Sequence, residues 1–242
     1  MRSIIQLKNF SKQKAVVAVI GILALTGLQA LAQDCAGYFT MKEGTVLSYV
    51  NYNPKGKVSG SNEMSFRKKT ETPEGMKALF STKLKDDKGE ILHEGEFEIE
   101  CKNGVLHFDA GQLLDPATMS AYESMEVNVT GDNLELPLHS ADGTSLKDGG
   151  VKAVVTSGGM KIITLSVEVT NRKIAAHETM VTPAGTFKCI KYTYDSFSQA
   201  GFVKVNTSGI EWYSQEVGTI RSESYDKNGK LTGYTVLESF SD

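Results

Sequence analysis

One pattern constrains this chain more than any other: apolar and polar residues alternate singly over long stretches, and turns of one type interrupt them. In the segment 96–101, Phe97, Ile99 and Cys101 alternate with Glu96, Glu98 and Glu100. Between Ile163 and Thr170, the residues Ile163, Leu165, Val167 and Val169 alternate with Thr164, Ser166, Glu168 and Thr170. Met76, Ala78, Phe80, Thr82 and Leu84 follow the same rule. A period of two is that of a β-strand with one buried and one wet face. Three further segments, Asn53–Lys57, Asp86–Glu90 and Asp226–Lys230, share the pattern Asx-x-x-Gly-charged. The Asn or Asp side chain can accept hydrogen bonds from the turn backbone, and the glycine takes the left-handed conformation that closes it. Each is predicted to be the turn of a β-hairpin.

The remaining local signals fit between these hairpins. Asp115 is a good N-cap and Pro116 suits a first helical position, so one short helix is expected from there to about Met125. Val127 and Val129 are expected to pair with Leu134 and Leu136 across a turn at 130–133, and residues 139–150 read as an exposed loop. Pro183–Thr186 reads as a turn between two strands, and Glu211–Tyr213 with Glu216–Arg221 as another hairpin. About ten to twelve strands with no intervening linker predict an all-β, antiparallel meander, forming a strongly curved sheet or half-open barrel with one short helix.

The N-terminus is of a different kind. Arg2, Lys8, Lys12 and Lys14 precede the apolar run Ala15–Leu25, and Ala30-Leu31-Ala32 follows. Positive region, apolar run and small-residue site together describe a secretory signal peptide over residues 1–32, cleaved before Gln33. A membrane-spanning helix would need about 20 mostly apolar residues, and this run is broken by Thr26, Gly27 and Gln29. Ala32-Gln33-Asp34 before Cys35 is a poor lipidation site. The expectation is an exported chain without a stable membrane anchor, its mature part a single domain over residues 33–242.

Charge and residue types narrow the function. Leaving out residues 1–32 removes four basic and no acidic residues, so the formal net charge moves from −3 to −7. An acidic chain without a Lys/Arg-rich run is unsuited to nucleic acid, and the same average weakens a role on anionic lipid. Cys35, Cys101 and Cys189 allow one disulfide with one thiol left over, and the expected bridge joins Cys101 to Cys35 or to Cys189. No metal-ligand spacing, H-E-x-x-H helix or G-x-S-x-G elbow is present. The sequence therefore nominates no catalytic, cofactor-binding or metal residue, and Glu96, Glu98 and Glu100 read as a solvated strand face.

The run TPAGTFKC, then EWYSQEVGTIRSESYDKNGKL, resembles the TapB-like family of exported bacterial proteins. DCAGYFTMKEGTVLSYVNYNPKGK and FEIECKNG extend the resemblance over the whole mature chain. The resemblance implies a bacterial periplasmic or secreted protein, so the Asn-x-Thr/Ser triplets at Asn128 and Asn206 are chance matches. It also implies a curved β-sheet distantly similar to periplasmic lipoprotein carriers, and it carries over no catalytic residues. The first expectation is therefore a non-enzymatic protein holding an apolar ligand or a partner segment on the concave sheet face. Met119, Tyr122 and Met125 of the helix, with Trp212 and Tyr213, are the candidate lining, and Arg221 is a further candidate for a ligand-facing surface. The alternative is an envelope-associated interaction module without a small-molecule ligand. A hydrolase assembled from scattered His and carboxylate residues is the third reading.

Overall fold

The computed structural model describes residues 35–241. The expected signal peptide and its cleavage point before Gln33 lie outside the described residues. Thirteen antiparallel strands form one sheet: β1 (Val46–Tyr52), β2 (Val58–Thr72), β3 (Gly75–Asp86), β4 (Ile91–Lys102), β5 (Val105–Phe108), β6 (Glu126–Asp132), β7 (Leu134–Leu136), β8 (Gly149–Ser157), β9 (Met160–Thr182), β10 (Gly185–Ala200), β11 (Val203–Ser214), β12 (Gly218–Asp226) and β13 (Leu231–Ser241). Their spatial order is β6-β8-β9-β10-β11-β12-β13-β1-β2-β3-β4-β5-β7. The all-β antiparallel reading holds, and the meander curls into a nearly closed barrel with one seam.

The three Asx turns form as their chemistry requires. Asn53 Oδ1 accepts from the Lys55 and Lys57 amides, Asp86 Oδ1 from Lys88 and Glu90, and Asp226 Oδ1 from Asn228 and Lys230. Gly56, Gly89 and Gly229 adopt φ of 76°, 86° and 74°. The inward residues of β3 and β4, Met76, Ala78, Phe80, Ile99 and Cys101, are buried, as their alternation demands. They join Leu47, Tyr49, Phe66, Ile220 and Leu237 in the principal core. A smaller core around Ala110, Leu114, Val151, Ala153 and Leu165 lies at the other side.

Three expectations are corrected around the seam. The helix is shorter: α1 spans Pro116–Ser120, capped by Asp115 through the Thr118 amide at 2.8 Å, and turns carry the chain on to β6. The predicted β6–β7 hairpin does not form. β6 pairs with β8, β7 pairs with β5, and Asn133 alone joins the two. Gly131 is not a turn residue. A Cβ there would lie 2.4 Å from the Gly150 carbonyl oxygen, so the glycine serves close strand approach and keeps 130–132 extended. The expected loop 139–150 likewise ends early, because Gly149 and Gly150 already pair within β8.

Those corrections explain closure. β6 and β7 are the two edges of the sheet, yet Asp132 and Leu134 are two peptide steps apart, about 7.6 Å at most. The edges must meet at that corner. Below it they diverge, because β5 covers only Ile99–Lys102 of β4. The segment 109–125, with a 3₁₀ turn at Ala110–Leu113 and then α1, spans the gap. The Gln112 side-chain amide donates to the Glu98 carbonyl at 2.9 Å and latches that segment to the uncovered edge of β4.

Candidate functional site

Alternation along β11 organises the interior. Glu211 and Tyr213 point into the barrel, and Trp212 between them points out. Two adjoining cavities of about 340 and 250 Å3 share Phe108, Gln112, Glu211, Tyr213 and Thr219 as walls. The larger is bounded by Leu134, Leu136, Val167 and Val169 on one side and by Tyr192, Tyr194, Ser196 and Ser198 on the other. The smaller is bounded by the aromatic cluster of Phe39, Tyr49, Phe80 and Phe97. Phe39–Phe80 and Phe80–Phe97 ring contacts at 5.4 and 5.5 Å make that wall rigid.

A set of buried polar groups sits among these walls. Tyr194 donates its hydroxyl proton to Glu211 Oε1 at 3.1 Å. Burial pushes the Glu211 carboxyl above its ordinary value, a shift that the Tyr194 hydrogen bond and the Arg172 charge offset in part. The Glu211 charge, followed by burial, drives the Tyr194 phenol upward. Tyr213 is 4% exposed, and its hydroxyl has no hydrogen-bond partner among the described residues. Arg172, 3% exposed, donates to the Lys147 and Glu135 carbonyls at 2.6 and 2.8 Å and lies 5.5 Å from the Tyr192 ring centroid. Its Nε likewise lacks a partner among the described residues. Buried polar groups are nearly always satisfied, so an unmet phenol beside a carboxyl in a cavity is an arrangement suited to a ligand's polar head.

The candidates drawn from the sequence divide among three places. Met119, Tyr122 and Met125 line a cleft of about 1110 Å3 along the seam. It shares Met64 and Phe97 with the smaller cavity, Asp109 with the larger and Gln112 with both, so it adjoins the interior cavities. Tyr213 lies in the interior itself. Trp212 is buried on the outer face, donating to Glu178, with Lys191 Nζ 5.1 Å and Arg221 Cζ 5.9 Å from its ring centroid. Arg221 also lies 4.6 Å from the Tyr234 ring, on that same face. Glu211, Tyr194 and Arg172 were not among the candidates. The signal for Glu211 was present, since it shares the strand face of Tyr213.

The cysteines resolve the open pairing. Cys35 and Cys101 form the disulfide, and Cys189 is free and buried. Burial pushes the Cys189 thiol up to about 11, so it stays protonated and poorly nucleophilic near neutral pH. His177 Nδ1 and Asp142 Oδ1 lie 2.6 Å apart, and His177 borders a second recess with Cys189. Both partners of that pair are about half exposed. On the outer face of β4, Glu98 and Glu100 lie 3.6 and 2.9 Å from Lys77 and Lys102.

The DUF3108-like family matches residues 42–237, from just before β1 to β13. The chain belongs to the DUF3108-like family. Two solved structures extend the likeness. One is a Bacteroides fragilis protein named as exported and of YmcC-like fold, 26% identical over 86% of this chain and 100% of its own, with a TM-score of 0.69. The other is a lipoprotein from Parabacteroides distasonis, also 26% identical over 86% and 100% of the two chains, with a TM-score of 0.71. No curated protein matches the chain. The family match thus covers the strands that carry Glu211, Tyr213 and Arg172 as well as the seam.

Proposed function

We propose that this DUF3108-like protein is an exported, non-enzymatic binding protein that holds one amphipathic ligand inside its barrel. The observation that carries the proposal is the buried, unpartnered Tyr213 hydroxyl beside Glu211, within cavities whose walls combine apolar side chains with a few polar ones such as Gln112, Ser196 and Ser198. The larger cavity, about 340 Å3, lies at the lower end of the range of about 300–1,000 Å3 usual for small-molecule sites, and the adjoining one of about 250 Å3 extends it. The ligand's apolar body packs against Leu136, Val169, Phe97 and Phe108, and its hydrogen-bonding head meets Glu211, Tyr194 and Tyr213. The ligand passes between segment 109–125 and the uncovered edge of β4, where Met119, Tyr122 and Met125 offer an apolar threshold. Export, to the periplasm or beyond, is supported by the signal-like residues 1–32 and by the two relatives named as an exported protein and a lipoprotein. The narrower TapB-like assignment rests on the TPAGTFKC and EWYSQEVGTIRSESYDKNGKL resemblance.

The test is mass spectrometry of the chain purified gently after export, under native and then denaturing conditions. A stoichiometric mass lost on denaturation and recovered in organic solvent is the expected result, with Tyr213→Phe lowering its occupancy. A bare chain in both spectra would overturn the carrier reading and favour an envelope interaction module.

A further inference from the structure

Among the described residues, eleven large apolar side chains are exposed, and eight of them lie at one end of the barrel. Antiparallel order puts the β1–β2, β3–β4, β8–β9, β10–β11 and β12–β13 turns at that end. The concentration is greatest on two adjacent turns. Met160 and Ile162 follow the β8–β9 turn, at 71% and 50% exposure. Phe202, Val203 and Val205 form the β10–β11 turn and the start of β11, and Phe202 is 104% exposed. The two turns are tied together: the Gly201 amide donates to the Thr164 carbonyl at 3.1 Å, and Gly201 packs beside Ile163.

Charge at this end departs from that of the whole chain. Lys161 and Lys204 are interleaved with the apolar residues, and no acidic residue lies in 157–163 or 200–205. The β12–β13 and β1–β2 turns add Lys227, Lys230, Lys55 and Lys57, all exposed. Asp226, the one carboxylate in these four turns, is engaged in capping its own turn; the fifth turn at this end, β3–β4, carries Asp86, Asp87 and Glu90 against Lys88, so the basic side spans the other four. The acidic average of the mature chain, which by itself speaks against anionic lipid, conceals a cationic side to this end, around the two apolar turns.

We propose that this end docks on the surface of an anionic phospholipid bilayer, with Phe202 and Met160 entering the interface and the surrounding lysines facing the headgroups. An apolar tip rimmed by basic residues is the composition that binds such a surface, because burial of apolar area and attraction to acidic headgroups act together. A protein partner would have to cover a fully exposed phenylalanine projecting from a turn, whereas a fluid bilayer accepts it without shape complementarity. Docking does not depend on an interior ligand.

The test uses the exported chain carrying Phe202→Trp, whose second indole reports its surroundings against the constant Trp212. Vesicles of phosphatidylethanolamine with phosphatidylglycerol are compared with pure phosphatidylcholine. The expected result is a blue-shifted emission and co-sedimentation with the anionic vesicles only. Without the reporter, the double variant Met160→Ser/Phe202→Ser should lower the bound fraction by about tenfold or more, the effect of losing at least one buried large apolar side chain. The pair Lys161→Gln/Lys204→Gln should weaken binding most at low salt. All these positions are exposed, and unchanged thermal melts would establish folding. Absence of binding, or binding without an emission shift and indifferent to the double variant, would overturn the proposal. A shift that grows with protein concentration in lipid-free buffer would also overturn it, by showing that a second copy covers the tip.

Discussion

Glu211 shows how the barrel interior trades stability for a binding group. Burial raises its folded-state pKa above the ordinary 4.5, whereas in the unfolded chain it titrates normally. The stability contributed by the protonated form is therefore complete below about pH 4.5 and is lost as pH rises through the folded pKa. Glu211→Gln keeps an acceptor for Tyr194 and cannot ionise. The variant should melt higher than the parent at about pH 8, and the two should converge towards about pH 4. Thermal unfolding followed by circular dichroism at several pH values decides it, and a parent that gains on the variant as pH rises would contradict this account. In the sequence this site was half legible. Strand alternation places Tyr213 and Glu211 on one face, but adjacency in sequence draws the eye to Trp212, which the same alternation sends outside. Arg172 carried no signal, because nothing local says that a charged residue of β9 will turn inward to meet carbonyls from Glu135 and Lys147.

Hairpin turns were the most legible elements, because their chemistry is local. An Asx side chain three residues before a glycine satisfies the turn by itself, whatever the rest of the chain does. The β6–β7 region failed for the opposite reason: Val127, Val129, Leu134 and Leu136 fit a hairpin locally, and only the distant strands β8 and β5 decide otherwise. The disulfide was equally non-local. It fastens the 3₁₀ turn at Cys35–Gly37, ahead of β1, to β4 across a sequence separation of 66. In the chain-entropy account a loop of that length stabilises by about 4 kcal/mol. Cys101→Ser should accordingly lower the unfolding free energy by about that amount in urea titrations, and reduction of the parent should do the same. Cys189 offers the control, since reductant should leave a Cys101→Ser protein unchanged if no other bridge contributes.

At the scale of the molecule, closure rests on few residues. Twelve strand pairings hold the sheet together, and none joins β6 to β7. The edges are held by the single residue Asn133, whose Oδ1 accepts from the Ala110 amide at 3.2 Å, by Gln112 on Glu98, and by Arg172 reaching from β9 to β7. A barrel closed this way has one place where it can open at less than the cost of global unfolding, and that place adjoins the cavities. Such local opening is read by amide hydrogen exchange. Arg172→Met keeps length but leaves the Glu135 and Lys147 carbonyls without their charged donor, a loss of about 3–6 kcal/mol for two such bonds. Exchange should then accelerate in β6, β7 and segment 109–125, while the β12–β13 hairpin on the far side keeps its protection. Uniform acceleration through all strands would mean that the seam does not open independently, and a ligand would then need another way in. Slower exchange at the seam in ligand-loaded protein than in solvent-extracted protein would tie the same opening to the occupant of the interior.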